Sequence, residues 1–191
     1  MRVVRACLAV AGMALMFGAV SAQAAAPPVS GFAAKFIETR TLPGFDTPLV
    51  SHGIMRFDRE QGFHWEITKP YRYVFEMDAG RAKEVLPDGT VRQLDPDETP
   101  WLEAVEHIFV SALAGDRSDL ARYFNVDIQP LPEGEGRHVT LTPKPGAMAK
   151  VIDRIEVTET APGQPRRLQI DEAGGGHMDI RFTPIHSATG Q

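Results

Sequence analysis

A chain of 191 residues with 25 Asp and Glu against 20 Lys and Arg has a net charge of −5 and no basic run. That balance excludes a nucleic-acid-binding surface and a standing attraction to anionic membranes. The single cysteine, Cys7, stands near the start, so the rest of the chain has no disulfide, thiol nucleophile or thiolate metal site.

In chain order, Arg2 and Arg5 precede the apolar run from Ala6 to Val20, which ends in Ser21-Ala22-Gln23-Ala24. A charged start, an apolar stretch and small residues predict a secretory signal peptide over residues 1–24, cut after Ala24. The apolar run is shorter than the roughly 20 residues that span a bilayer. Cys7 is too early to be lipidated after such a cut. Loss of Arg2 and Arg5 leaves 18 Lys and Arg against the same 25 acids, a charge of −7. Residues 25–191 then form a single domain, exported to a bacterial periplasm and large enough to hold its core without disulfides.

After the extended Ala25-Ala26-Pro27-Pro28, alternation and turn residues predict strands near 31–41, 48–58, 62–68, 71–78, 82–87 and 90–94. Pro43-Gly44, Glu60-Gln61-Gly62, Lys69-Pro70, Asp78-Ala79-Gly80 and Asp88-Gly89 separate them. Met55 and Phe57 face one way, as do Phe63, Trp65 and Ile67, while His64, Glu66 and Thr68 take the opposite face. Tyr71, Tyr73, Phe75 and Met77 extend the apolar face to a third strand.

An amphipathic helix comes next, with Thr99 as N-cap, Pro100 at the first helical position and Gly115 at the stop. Trp101, Leu102, Val105, Ile108, Phe109, Ala112 and Leu113 form its apolar stripe. A short helix is expected over Ser118 to Phe124. Strands near 124–130, 136–142, 151–159, 165–172 and 177–183 follow, the last two joined by a turn at Gly174-Gly175-Gly176. Eleven strands and one long helix indicate a mainly β sandwich or barrel. The helix is expected to cover the apolar side of the sheet.

Chemistry finds little to work with. The histidines, His52, His64, His107, His138, His177 and His186, show no metal-ligand spacing, and no nucleophile elbow or phosphate loop is present. Glu103 and Glu106, or Asp95, Asp97 and Glu98, read as macrodipole partners at a helix start rather than paired catalytic acids. The expectation is no enzyme, no catalytic residue, no metal and no cofactor. The aromatic and methionine residues form either a plain core or the wall of a cavity, and the sequence leaves both open.

Several segments, taken together, resemble the periplasmic outer-membrane lipoprotein carrier (LolA-like) family. They are Phe32-x-x-x-Phe36-x-Glu38-x-Arg40, then Ser51-x-Gly53-x-Met55 through Arg59 to Phe63-x-Trp65 and Pro70, and next Asp78-x-Gly80 and the lone helix. Leu141-Thr142-Pro143-Lys144, Leu168-x-Ile170 and Ile180-x-Phe182 complete the pattern. The resemblance implies a curved antiparallel sheet forming an incomplete, half-open β-barrel, with α-helices as a lid over a hydrophobic cavity. It also implies a monomeric carrier of acyl chains, loaded by an inner-membrane transporter and unloaded to an outer-membrane receptor.

Ligand-binding residues would then be Met55, Phe57, Phe63, Trp65, Ile67, Tyr73, Phe75 and Met77 of the sheet and Trp101, Val105 and Phe109 of the helix. The family's lid-latching arginine falls on Arg59. Two departures mark a divergent paralogue whose cargo is a lipoprotein or another acylated lipid: Glu60 replaces the usual proline, and the N-terminal helix is nearly absent. The alternative is a non-catalytic cell-envelope binding or scaffold module with a filled core. A hydrolase of envelope lipids would need a nucleophile–base pair that the sequence does not display.

Overall fold

Strict alternation of side chains decides the architecture. In β1 (Gly31–Thr41), Phe32, Ala34, Phe36 and Glu38 are buried on one face while Lys35 and Ile37 are exposed on the other. The same two-residue period runs through β2 (Leu49–Asp58), β3 (Gly62–Lys69) and β5 (Arg81–Val85), whereas β4 (Tyr73–Asp78) buries Val74 as well as Met77 and β6 (Val91–Leu94) is largely exposed. It resumes in β7 (Phe124–Pro130), β8 (Arg137–Pro143), β9 (Ile152–Ala161) and β11 (His177–Pro184), while most of β10 (Gln164–Glu172) is half-buried on both faces. This computed structural model describes residues 31–58, 61–78, 81–95, 120–146, 148–161 and 164–185.

All eleven expected strands are present, and they form one curved antiparallel sheet in the order β6-β5-β4-β3-β2-β1-β11-β10-β9-β8-β7. Two meanders, β1 to β6 and β7 to β11, are joined where β11 returns to pair with β1, Phe36 opposite Phe182. The sheet is not closed, and β6 and β7 are its edges. The chain between Leu94 and Leu120 therefore leaves one edge strand and arrives at the other.

Two boundaries moved from their expected places. β4 begins at Tyr73 and not at 71, and Tyr71 is half exposed, because Pro70 has no N–H for the ladder and the chain uses Lys69 to Arg72 as its turn. Of the short helix expected over 118–124, Leu120–Tyr123 form α1 and Phe124 already opens β7, while Ser118 and Asp119 lie outside the described residues. Lys144 secures its end: the backbone N–H donates to the Tyr123 carbonyl at 2.8 Å and Nζ to the Ala121 carbonyl at 2.6 Å.

The inner face carries two apolar clusters. One spans β1 to β5 and β11, with Phe36 and Met55 among its most buried members. The other lies on β7 to β9 and is built from Phe124, Val139, Leu141, Ile155 and Val157, with Leu120 of α1 and Met148 of a 3-10 turn packed on it. Leu168 touches both.

Candidate functional site

Every described residue of the expected cavity lies on one face of three adjacent strands, β2, β3 and β4. The register sets Met55 opposite Trp65, Phe57 opposite Phe63, Trp65 opposite Phe75, Phe63 opposite Met77 and Ile67 opposite Tyr73. Phe36 reaches over β2 from β1 and stacks on Trp65 of β3, ring centroids 3.8 Å apart at 23°. Gly53 makes that reach possible. It sits opposite both Phe36 and Ile67, and a Cβ there would stand 2.2 Å from Phe36 Cζ and 2.1 Å from the Glu66 carbonyl oxygen. Phe63 adds ring contacts to Trp65 at 6.3 Å and to Phe75 at 6.2 Å. Met55, Phe57, Phe63, Ile67 and Met77 are buried, whereas Trp65, Tyr73 and Phe75 are partly buried against them.

Polar groups on this same face escaped the sequence reading. Glu38 and Ser51, 9% and 7% exposed, sit directly opposite each other on β1 and β2. Burial pushes the Glu38 carboxyl above the ordinary carboxylate range, and the Arg40 charge draws it part of the way back. Glu84 is buried opposite Phe75 and is well held: Tyr73 donates its hydroxyl to Oε2 at 2.9 Å and Arg92 donates Nε to Oε1. Burial first, then the Glu84 carboxylate, pushes the Tyr73 phenol upward. Glu159 is buried with Arg137 donating to it. Arg40 donates Nη2 to Glu172 at 2.6 Å, and its Nε is buried with no partner. The parity of Phe32, Ala34 and Phe36 was the available signal for Glu38, since the next inward residue on that strand can only be Glu38.

The outer face is a mesh of charge. His64 lies between Glu76, 3.1 Å from Nδ1, and Glu66, 3.6 Å from Nε2, and Lys83 bonds Glu76 at 2.6 Å. The Lys83 hydrogen bond holds the Glu76 carboxyl below its ordinary range. Arg167 grips Asp179 through two hydrogen bonds of 2.6 and 3.1 Å and depresses its pKa likewise. His177 bonds Asp171 at 2.7 Å. A pocket of about 550 Å³ is lined chiefly by polar side chains, among them Arg56, Asp58, His64, Glu76, Arg81 and Lys83. Phe63, Met77 and Ala82, members of the inner-face cluster, complete its lining. Among the described residues no three His, Cys, Asp or Glu side chains are grouped to hold a metal.

A family model described as outer membrane lipoprotein carrier protein LolA matches residues 28–190. The chain belongs to the LolA family. No curated protein matches its sequence significantly. Solved structures similar to it include a LolA superfamily protein from Nitrosomonas europaea, 9% identical over 83% of this chain and 86% of that one, TM-score 0.42. A candidate outer membrane lipoprotein-sorting protein domain from Vibrio parahaemolyticus is 8% identical over 85% and 87%, TM-score 0.42. The lipoprotein LppX of Mycobacterium tuberculosis is 13% identical over 80% and 85%, TM-score 0.39.

Within this LolA-family chain, the expected latch Arg59 and the expected lid residues Trp101, Val105 and Phe109 lie outside the described residues, as does the leader over 1–24. The eight sheet residues of the expected cavity are brought together as one surface. Among the described residues their cluster is built from strand residues only, whereas the second cluster has α1 and the Met148 turn against it.

Proposed function

We propose that this protein is a non-enzymatic carrier of the bacterial periplasm. It holds acyl chains of lipoproteins or other lipids against the inner face of β1 to β5 and ferries them from the inner to the outer membrane. The single observation that carries the reading is the continuous aromatic and methionine surface around the Phe36–Trp65 stack, whose outer members Trp65, Tyr73 and Phe75 are only partly buried. Membership of a family named for outer membrane lipoprotein carriage supports it.

The energetics of such a site are simple. Burying alkyl surface is worth roughly 0.8 kcal/mol per CH₂, so a long chain in water prefers any dry apolar wall. A carrier needs only a small advantage over its donor and acceptor, and a gate that competes with the chain. The segment 95–119 joins the two edge strands of the sheet, and its Trp101, Val105 and Phe109 stripe is proposed as that gate, with Arg59 as its latch. Donor and acceptor would be an inner-membrane transporter and an outer-membrane receptor.

Native mass spectrometry of protein purified from its native host tests the reading: a lipid-bound mass is expected, and the bare mass alone contradicts it. Arg59→Leu is expected to change cargo release while the fold survives. The second reading, an envelope scaffold with a filled core, draws on the near-complete burial of Phe36 and Met55. Displacement of a hydrophobic fluorophore by fatty acyl ligands separates the two, because a filled core admits neither.

A further inference from the structure

We propose that the part of the inner face around Glu38, Ser51 and Arg40 is a polar subsite for an uncharged hydrogen-bonding group, an amide or a hydroxyl, at the head of the bound alkyl chain. This inference rests on the carrier reading above and narrows the class of cargo.

The starting point is a contrast among buried polar groups. Glu84 is satisfied by Tyr73 and Arg92, and Glu159 by Arg137. Glu38 and Ser51 are as deeply placed, 9% and 7% exposed, yet among the described residues neither has a hydrogen-bond partner. Arg40, two residues further along the same face of β1, leaves its Nε buried and unpartnered while Nη2 serves Glu172. A buried polar group left without a partner costs about 1–3 kcal/mol. Arg40 Nε is such a group, and it lies beside the deeply placed Glu38 carboxyl and Ser51 hydroxyl, so that one donor and two acceptors on one face are left to a ligand group.

Position supplies the second part. Glu38 follows Phe36 at the next inward position of β1, about 7 Å along the strand. An alkyl chain laid on the Phe36–Trp65 stack therefore carries its head to Glu38 and Ser51. Met178 opposite Arg40 and Ile180 opposite Glu38 keep the neighbouring β11 positions apolar.

Donor and acceptor chemistry supplies the third. Arg40 Nε–H only donates, and the Ser51 hydroxyl does both. The Glu38 carboxyl accepts when ionised and also donates when protonated, the form that desolvation favours. A matching head must both donate and accept. It must also be neutral, since Arg40 repels a cation, and with its charge already answered by Glu172 it leaves little to offset the desolvation of an anion. Amides and alcohols meet these conditions, whereas an ester offers acceptors alone.

The test uses three probes with the same twelve-carbon tail, N-dodecylacetamide, dodecanol and methyl dodecanoate, each displacing a hydrophobic fluorophore from the folded protein. The amide, the alcohol or both are expected to bind about tenfold more tightly than the ester, the size of one net hydrogen bond. Whichever exceeds the ester identifies the head that the subsite prefers. Glu38→Leu is expected to erase the difference while leaving ester affinity within about twofold, and Ser51→Ala to reduce it, which keeps the test alive if Glu38→Leu does not fold. Equal affinity for all three probes, or a preference that survives in every folded variant, overturns the subsite and leaves the carrier reading intact. Failure of all three to bind overturns both.

Discussion

The two halves of the inner face are built from the same alternation but to different ends. The β7–β9 half is aliphatic, filled by Val139, Leu141, Ile155 and Val157 around Phe124, and it has Leu120 and Met148 against it. The β1–β5 half is aromatic and sulfur-rich, keeps Trp65, Tyr73 and Phe75 partly buried, and mixes in Glu38, Ser51 and Glu84. An aliphatic cluster with its own cover needs nothing further to be a core. A flat aromatic wall with polar groups set into it has more specific chemistry than stability requires, because buried polar groups cost free energy unless something answers them. One half anchors the fold, and the other is the proposed seat of the alkyl chain.

The largest expected effect comes from Gly53. A side chain there meets the Glu66 carbonyl and the Phe36 ring at once, so Gly53→Val should cost about 4 kcal/mol or more and abolish the two-state urea transition of the native protein. Next, Leu141→Ala should destabilise by about 2–5 kcal/mol while leaving alkyl-probe affinity unchanged in the folded fraction. Trp65→Ala should do the opposite, weakening probe binding about tenfold or more at a smaller cost in stability, because Trp65 is only partly buried. Parallel urea titrations and fluorophore displacement read both. Similar behaviour of the two variants would erase the distinction between the halves.

Glu38→Gln should act more gently and in the opposite sense. Its carboxyl titrates higher folded than unfolded, so the protonated form favours folding, and stability is lost as pH rises through the folded pKa. Replacing it with the neutral amide should stabilise by about 1 kcal/mol at pH 7, a gain that fades as the solution is acidified. Smallest is the outer face. Asp179 titrates lower folded than unfolded, so its pairing with Arg167 supports folding above the ordinary carboxylate pKa and fails as pH falls through the folded value. Arg167 is 41% exposed, and solvent screening holds the effect of Asp179→Asn to about 0.5–1 kcal/mol, smaller still in high salt.

Strand positions were legible because alternation and turn chemistry are local: Phe63, Trp65 and Ile67 declare their face within eight residues, and the Gly174-Gly175-Gly176 turn closes β10 onto β11 as expected. What failed locally failed at proline, where Pro70 delayed β4 and left Tyr71 outside the surface it was assigned to. The seam between β1 and β11 joins residues some 146 positions apart, Phe36 with Phe182, and no local pattern encodes it. The Phe36–Trp65 stack was equally hidden, since it depends on a glycine in the strand between them. Glu38 was visible as a letter in a pattern, but its burial needed the parity of the whole strand.

The most direct measurement is photo-crosslinking with a long-chain alcohol carrying a diazirine on its alkyl chain, mapped by peptide mass spectrometry. Labels should fall on Trp65, Tyr73, Phe75 and Met77 and be suppressed by the unlabelled alcohol. Labelling confined to the β7–β9 half or to the charged outer face, or none that competes, would contradict the claim that the aromatic wall is the seat of the alkyl chain.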